Sequence, residues 1–335
     1  MKPVIFGLSG HSLTADERDF FRDADPIGYI LFKRNCGDRA QLRALTDSLR
    51  ALSGRDDLPI LIDQEGGRVA RMQPPEWPAF PAPNVFDKLY DIAPVSAIEA
   101  ARANAHALAL MLAQVGVNVD ALPLLDVVRP ETSNVIGDRS YGAEPMRVAA
   151  LGRATIEGLR RGGVVGIVKH MPGHGRGVVD SHKELPVVKA SEAELAVDIE
   201  PFATLRDAPM AMTAHIVFTA WDADRPGTLS PKVIGDIIRT RIGFDGLLMS
   251  DDIDMKALTG TAGEKAAAAV AAGCDVALDC WARMDEMVEI AGKLGDAPQK
   301  TLERLDRAMA TVKGTPHADA FADLIDKRDS LLALV

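Results

Sequence analysis

The stretch Val-Val-Gly-Ile-Val-Lys-His-Met-Pro-Gly-His-Gly, residues 164–175, joins an apolar run to two ionisable residues and a turn. A continuous apolar run, without polar alternation, is typical of a strand buried on both faces of a parallel sheet. Lys169 and His170 therefore stand at the carboxyl end of a buried strand. The same order, an apolar run followed by polar residues, recurs along the whole chain.

Eight such runs alternate with longer amphipathic stretches. The runs are Val4–Leu8, Gly28–Phe32, Pro59–Asp63, Val117–Asp126, Val164–His170, Met210–His215, Gly246–Asp251 and Asp275–Leu278. The helical stretches are Thr14–Asp25, Asp38–Ser53, Ser96–Gly116, Glu144–Gly162, Ser191–Arg206, Ser230–Ile242 and Glu264–Gly273. Eight strands alternating with helices predict an α/β fold, a single-domain (β/α)8 TIM barrel. An open doubly wound sheet is the alternative, although no Gly-x-Gly-x-x-Gly follows the first strand.

The chain beyond residue 283 is helical and charged, and it predicts additional C-terminal helices at Met284–Leu294, Gln299–Val312 and Ala318–Val335. No Ser/Pro/Gly-rich linker divides the sequence. We therefore expect residues 1–335 to form one domain, with the barrel at about 4–283 and the closing helices at about 284–335.

Composition excludes several classes of protein. Of 335 residues, 47% are hydrophobic and 26% charged, which excludes intrinsic disorder, collagen-like sequence and a disulfide-stapled miniprotein. The formal net charge is −10, from 38 basic and 48 acidic residues, and it argues against nucleic-acid binding. An anionic small substrate needs only a local basic cluster and stays possible.

The amino terminus contains no signal-like apolar segment, and no 18-residue apolar stretch predicts a membrane span. Three cysteines, Cys36, Cys274 and Cys280, provide no disulfide framework and suit a reducing compartment. We expect a cytoplasmic protein that does not bind membranes, with the cysteines in the core or in the wall of a site.

Ionisable residues cluster at the carboxyl ends of six predicted strands. They include Lys33-Arg34, Asp63-Gln64-Glu65, Asp126, Lys169-His170, His215 and Asp251-Asp252. Any one strand can end in polar residues simply because it reaches water. Six strands that all end in ionisable residues at the same end of a barrel, where active sites form, predict a polar site.

A loop rich in glycine follows the fifth strand and contains Asp180 and His182, two residues apart. On an extended backbone the two side chains share a face, so the carboxylate can orient the imidazole and raise its basicity. This pattern predicts a general acid/base near neutral pH. A surface ion pair is one alternative. Metal binding is another, through His170-x₃-His174 and Asp180-x-His182.

Two further segments carry chemistry. Ile237–Asp254 combines a helix, a tight turn and a strand that delivers Asp251 and Asp252 to the same end of the barrel. Since adjacent strand side chains point to opposite faces, we expect only one of these aspartates to face a substrate. Ile62–Arg71 places Asp63 before a Gly-Gly turn and two arginines, a set suited to hydroxyl-rich ligands or to surface ion pairs.

Three of these segments together resemble the motifs of glycoside hydrolase family 3. They are Asp63–Arg71, Lys169–Gly175 with Asp180-Ser181-His182, and Ile237–Asp254. More narrowly, they are similar to those of its bacterial cytoplasmic β-N-acetylglucosaminidases. The resemblance covers roughly residues 4–280 and matches three motifs in order. It implies a barrel enzyme without metal or other cofactor.

The resemblance also implies residue roles. Asp251 corresponds to the family's nucleophile, His182 to the general acid/base, and Asp180 to the residue that orients it. The sugar-binding positions correspond to Asp63, Arg71, Arg139, Lys169 and His170. The second histidine of the loop, His174, is expected to have a structural role and to bond the loop backbone.

The activity implied is retaining exo-hydrolysis of terminal N-acetylglucosamine from GlcNAc-1,6-anhydro-N-acetylmuramic acid and its peptide forms in cell-wall recycling. A family 3 enzyme acting on another sugar, or a glycoside phosphorylase, is an alternative, and a non-catalytic sugar sensor is another. We expect a monomer. The glycines of the 173–177 loop predict that His182 moves into place when substrate binds.

Overall fold

Eight parallel strands form a closed barrel in this computed structural model, which describes residues 1–181, 184–314 and 320–335. The strands are β1 (Lys2–Gly7), β2 (Pro26–Leu31), β3 (Ile60–Ile62), β4 (Val119–Asp120), β5 (Val165–Met171), β6 (Met210–Thr213), β7 (Leu247–Asp252) and β8 (Val276–Asp279). Each strand pairs with its neighbours in sequence, and β1 closes the barrel against β8. The predicted (β/α)8 TIM barrel is confirmed, and the open-sheet alternative is wrong.

Helices surround the barrel. They are α1 (Ala15–Ala24), α2 (Arg39–Ser53), α3 (Asn84–Ile92), α4 (Pro94–Gln114), α5 (Pro145–Arg161), α6 (Glu192–Thr204), α7 (Ala262–Ala272), α8 (Met284–Lys293), α9 (Gln299–Ala310) and α10 (Phe321–Leu332), with a π-helical segment at Val233–Ile242. Helix α6 begins with a capping box, in which the Ser191 hydroxyl accepts from Glu194 N while the Glu194 carboxylate accepts from Ser191 N. None of the helices in the described ranges is long and apolar enough to cross a bilayer.

The fourth strand is much shorter than the predicted Val117–Asp126 run. Only Val119 and Asp120 pair in the ladder, and the chain then passes through Pro123, which has no N–H to donate. Hydrogen bonding to β5 nevertheless continues: Ile167 N donates to the Leu122 carbonyl at 3.0 Å, Lys169 N to the Pro123 carbonyl at 3.1 Å, and Leu125 N to the Lys169 carbonyl at 2.6 Å. The segment up to Asp126 therefore follows β5 to the mouth of the barrel.

Several elements were not predicted. Among them are helix α3, the short hairpin of Gln64–Gly66 with Val69–Ala70, and a two-stranded parallel pair of Val187–Val188 with Val217–Phe218. The last joins residues about thirty positions apart and has no local sequence signal.

The barrel interior is apolar and is closed at its amino-terminal end by helix α9. Strand residues such as Ile5, Ile167 and Val276 form one buried cluster with Leu305, Ala308 and Met309 of α9. The opposite, carboxyl-terminal end is where the ionisable residues collect.

Candidate active site

A cavity of about 280 Å³ opens at the carboxyl end of the barrel. Its walls come from most of the strand ends: Ile30, Phe32, Asp63, Arg68, Val69, Arg71, Val135, Ile136, Arg139, Lys169, His170, His174, Ser181, Met212, Asp251, Asp252, Leu278 and Cys280. The proposed nucleophile and all five predicted sugar-binding residues are therefore brought together, although they span almost 190 positions of sequence.

Asp63, at the end of β3, is held by two cations. Its carboxylate accepts from Arg71 Nη2 at 2.9 Å and from Lys169 Nζ at 3.2 Å. Burial alone would raise the pKa of Asp63, but the charges of Lys169 and Arg71 outweigh it and hold the pKa well below its usual range. Asp63 is therefore an ionised acceptor, suited to sugar hydroxyls.

Glu65 completes the network, and it was missing from the predicted set of binding residues. Arg139 donates to both of its oxygens, at 2.8 Å from Nε and 2.7 Å from Nη2, and Lys169 Nζ lies 2.6 Å from Oε1. Glu65 has a fully buried side chain, and these charges keep its pKa low despite that burial. Its only sequence signal is its position two residues after Asp63.

Lys169 is also fully buried, and burial alone would lower its pKa. The carboxylates of Glu65 and Asp63 reverse that effect, so the pKa of Lys169 is raised. The ammonium group is thus a fixed positive charge in the cavity wall.

The two histidines of the 164–175 stretch share one carboxylate, Asp126. His170 Nδ1 lies 2.8 Å from Asp126 Oδ2, and the backbone N–H groups of His170 and His174 donate to Oδ1. Burial would raise the pKa of Asp126, but His170 and these N–H donors lower it to about 2. Asp126 was predicted as a strand-end residue, but the sequence assigned it no role. In the structure it fixes the His170 ring, which faces the cavity.

His174 differs from expectation in its ring contacts. Its Nε2 lies 3.3 Å from the Ser181 hydroxyl, so the ring joins two parts of the loop through a side chain, not through the backbone. Burial, with His170 close by, lowers the pKa of His174 to about 4. The ring is therefore neutral at neutral pH.

Asp251 and Asp252 lie at the end of β7, which faces β3 across the barrel, and both line the cavity. Asp252 Oδ1 accepts from Asp254 N at 3.1 Å, and which of the two aspartates faces a substrate stays a prediction. Strand pairing between β7 and β8 shifts register between Met249 and Asp252, so simple alternation ends before the aspartates. Burial and the neighbouring Asp251 raise the pKa of Asp252 to about 6, while its backbone N–H donates to Asp251 Oδ1 at 2.8 Å.

The glycine-containing loop after β5 packs against the segment after β4. A side chain at Gly175 would place Cβ 1.8 Å from the Val127 carbonyl oxygen, so only glycine fits there. The Gly177 carbonyl accepts from Ser133 N at 2.9 Å. Asp180 is half-buried at the end of this loop, and Ser181 lines the cavity. His182 lies outside the described residues.

Across residues 1–181, 184–314 and 320–335, no group of three histidine, cysteine or acidic side chains is arranged to hold a metal ion. The rings of His170 and His174 meet edge to face, with centroids 5.7 Å apart. Their described polar partners are Asp126 and Ser181.

A (β/α)8 barrel whose mouth presents a carboxylate opposite a ring of charged hydrogen-bonding groups is suited to a hydrolytic enzyme for hydroxyl-rich substrates. Residues 12–313 match the glycosyl hydrolase family 3 N terminal domain. The chain belongs to this family.

Relatives and solved structures agree with this assignment. A beta-hexosaminidase of Bordetella avium (strain 197N) is 36% identical over 312 residues, covering 92% of this chain and 88% of the relative. The crystal structure of native NagZ from Neisseria gonorrhoeae is similar with a TM-score of 0.88 at 32% identity, covering 99% and 98% of the two chains. The same Neisseria protein in complex with N-trifluoroacetyl-D-glucosamine matches with a TM-score of 0.86 at 32% identity, covering 99% and 97%.

Proposed function

We propose that this chain is a retaining exo-β-N-acetylglucosaminidase that removes terminal GlcNAc from GlcNAc-1,6-anhydro-N-acetylmuramic acid and its peptide forms. The observation that carries the proposal is the position of Asp251, which lines a cavity opposite Asp63, Arg71 and Lys169. Membership of family 3, the relatives named beta-hexosaminidase and the related complex with a glucosamine derivative support the sugar class.

In this proposal the terminal sugar occupies the cavity and its hydroxyls are bound by Asp63, Arg71, Arg139, Lys169 and His170. The ion pairs of Asp63 with Arg71 and Lys169, and of Arg139 with Glu65, are already formed, so the cavity is organised before substrate arrives. His170 has its ring fixed by Asp126 and needs no reorientation to donate or accept.

Asp251 then acts as the nucleophile. Its carboxylate oxygen bonds to the anomeric carbon while the bond from that carbon to the leaving oxygen breaks, and protonated His182 gives its proton to that oxygen. Water next attacks the anomeric carbon, neutral His182 takes a proton from the water, and the Asp251 ester bond breaks. Two displacements at one carbon give net retention.

Asp180 orients His182 in this scheme. This role of Asp180 is inferred from the spacing of the two residues in the sequence and from the family motif. An imidazole as the acid/base suits a leaving group that carries a carboxylate, because a second carboxylate in the same role would repel it. Comparing His182→Glu on anionic and neutral substrates tests this reason, and equal losses on both would contradict it.

The first experiment is hydrolysis of 4-nitrophenyl β-GlcNAc by the wild type, Asp251→Ala and His182→Ala. We expect activity in the wild type and none in Asp251→Ala. His182→Ala should lose less on this substrate than on GlcNAc-1,6-anhydro-N-acetylmuramic acid, since nitrophenolate needs little protonation to leave.

Proton NMR of the first-formed product, with β-GlcNAc expected, tests retention. Activity on aryl β-glucoside but not on aryl β-GlcNAc would contradict the sugar assignment, and release of sugar 1-phosphate in phosphate buffer would indicate a phosphorylase. We further propose that the enzyme acts in the cytoplasm as a monomer. Fractionation of cells and sedimentation of the purified chain test these two points.

A further inference from the structure

His215 is a buried ionisable residue at the carboxyl end of the barrel that the proposed mechanism leaves unused. It stands two residues after β6 and has no exposed surface. Both ring nitrogens meet a polar atom: Nδ1 lies 2.7 Å from Thr228 Oγ1, and Nε2 lies 3.0 Å from the backbone carbonyl oxygen of Asp252. The ring therefore connects the segment after β6 to the last residue of β7.

The carbonyl contact fixes the tautomer of His215. A carbonyl oxygen can only accept, so Nε2 carries the proton of this hydrogen bond. In the neutral ring Nδ1 is then an acceptor, and the Thr228 hydroxyl donates to it. Thr228 Oγ1 lies 2.7 Å from Thr213 Oγ1 and accepts in turn from that hydroxyl.

These hydrogen bonds form a directed chain from the two threonines, through the ring, to the Asp252 carbonyl. Thr213, Thr228 and His215 all have no exposed surface, so water does not compete for the donors and acceptors. A buried chain in which each member is paired holds its groups in one geometry. The chain thus gives the Asp252 carbonyl a fixed donor from the side of β6.

The contact lies where the pairing of β7 with β6 has already finished. The regular ladder joins Leu247–Met249 to Met210–Met212, and Asp251 lies two residues beyond it. At Asp252, one residue after the proposed nucleophile, the His215 ring provides the hydrogen bond from the β6 side. A side chain therefore does for the end of the strand what backbone pairing does for its beginning.

The β8 side of the same strand end is held by Leu278. Its N–H donates to Ser250 Oγ and its carbonyl accepts from Ile253 N, each at 3.0 Å. These contacts restrain the chain just before and just after Asp251 and Asp252. The strand end is consequently clamped from both sides, by backbone groups of β8 on one and by an imidazole on the other.

We propose that His215 is a positioning residue, whose ring holds the end of β7 so that the Asp251 carboxylate is aimed at the anomeric carbon. The ring acts through the Asp252 backbone, and Thr228 acts through the ring. This inference rests on the proposed function, because it takes Asp251 as the nucleophile, and it adds the group that sets the position of that nucleophile.

The test uses kcat/KM on 4-nitrophenyl β-GlcNAc, which reports the steps up to formation of the glycosyl-enzyme. His215→Leu removes the donor and should lower kcat/KM about 100-fold, the size of effect that a misplacement of about 1 Å can cause. His215→Gln, whose amide N–H can bind the same carbonyl, should stay within about tenfold of the wild type.

Thr228 provides a second variant that alters the ring's support without altering the ring. Thr228→Val, of similar volume, should lower kcat/KM about tenfold, and Thr228→Ser should restore it. The double variant His215→Leu with Thr228→Val should be no slower than His215→Leu alone, because Thr228 acts through the ring.

Two readouts separate positioning from a general loss of structure. The inhibition constant of free GlcNAc should stay within about twofold of the wild-type value, since the residues proposed to bind the sugar are unaltered. The fall in kcat/KM should be equal on chitobiose, whose leaving group needs protonation, because the proposal leaves the proton donor in place. Thr46→Val and His106→Leu, at buried positions of α2 and α4, are the matched controls and should leave kcat/KM unchanged.

Wild-type kcat/KM in His215→Leu, an equal loss in His215→Gln, or a matching rise in the inhibition constant would overturn the positioning role. If Asp251→Ala is inactive while His215→Leu is not impaired, only this inference fails. If Asp251→Ala remains active, the proposed function fails as well. If the wild type cleaves a different aryl β-glycoside, the same comparison on that substrate tests His215 independently of the sugar assignment.

Discussion

At the scale of the residue, the candidate site is a set of charges that are buried only because they are paired. Lys169 has almost no exposed side-chain surface, yet it contacts Asp63 at 3.2 Å and Glu65 at 2.6 Å. Removing one partner of a buried ion pair leaves the opposite charge buried without compensation, which lowers the free energy of unfolding by about 3–5 kcal/mol. Binding and stability are therefore coupled through this one ammonium group.

Lys169→Met should lower the free energy of unfolding by about 3 kcal/mol and abolish hydrolysis, because Asp63 and Glu65 are left buried with less positive charge. Thermal unfolding followed by circular dichroism measures the first effect. The double variant Lys169→Met with Glu65→Gln should recover part of the stability but none of the activity. If Lys169→Met alone is as stable as the wild type, the ion pairs of Lys169 do not contribute to the free energy of unfolding.

Asp279 is a buried carboxyl group beside the site whose charged form is disfavoured by burial and by neighbouring acidic groups. Burial first, and then the charges of Asp252 and Glu286, raise its pKa to about 7, and its Oδ2 has no hydrogen-bond partner in the described residues. Since the folded-state pKa lies above the unfolded one, the protonated form favours folding. Stability is thus fullest below about pH 4 and is lost as pH rises towards 7.

Asp279→Asn should remove this loss. Its stability relative to the wild type should rise between pH 4 and 7 by up to about 4 kcal/mol and then level off. Urea unfolding at pH 5 and pH 8 measures the difference, with the exposed Asp306→Asn as control. The prediction is contradicted if the gap between Asp279→Asn and the wild type is the same at both pH values.

At the scale of the element, the loop after β5 is positioned by its contact with the segment after β4. Gly175 packs against the Val127 carbonyl with no room for Cβ, and Ser133 N donates to the Gly177 carbonyl. The loop leads on to Asp180, so its path sets where the proposed acid/base machinery begins.

Gly175→Ala should displace this loop while leaving the barrel folded. We expect kcat on GlcNAc-1,6-anhydro-N-acetylmuramic acid to fall about 100-fold, the size of effect that a misplacement of about 1 Å can cause. The loss on 4-nitrophenyl β-GlcNAc should be smaller, since its leaving group needs little proton donation. Gly235→Ala, where a Cβ meets only open space, is the control. Equal losses on both substrates would contradict a role of this loop in proton donation.

Strands and helices were predicted correctly where the sequence pattern that encodes them spans only a few neighbouring residues. The apolar runs indicated all eight strands, and the helical stretch predicted from Ser191 matches the start of α6, because burial and helical periodicity are encoded within a few residues. Strand β4 was predicted too long, because beyond Asp120 the chain contacts β5 through single hydrogen bonds and an isolated bridge without continuing the regular ladder. The pairing of Val187–Val188 with Val217–Phe218 was missed because each strand has only two residues.

At the scale of the whole molecule, the C-terminal helix α9 packs against the interior of the barrel. Leu305 and Met309 of α9 join the barrel's interior cluster, and Arg304 bridges Asp275 and Asp245 at the same end. We therefore propose that residues 1–335 fold as one domain.

Leu305→Ala should open a cavity under the barrel and cost about 2–5 kcal/mol in unfolding free energy. Scanning calorimetry should show a single transition that moves as a whole to lower temperature, whereas Leu334→Ala, at an exposed position, should leave it in place. Because Leu305 lies at the end remote from the site, KM below the transition should not change. A separate transition for the helices would contradict the single domain.

Local sequence patterns predicted the barrel, the end at which its ionisable residues collect, and the candidates Asp63, Lys169, His170 and Asp251, because strand periodicity and strand ends are local properties. The pairing of the buried charged residues, in contrast, follows from the folded structure and not from any local pattern. Arg139 meets Glu65 across 74 positions, and His170 meets Asp126 across 44. Closure of the ring of strands brings such residues together, and the cost of burying a charge then selects pairings that no local pattern encodes.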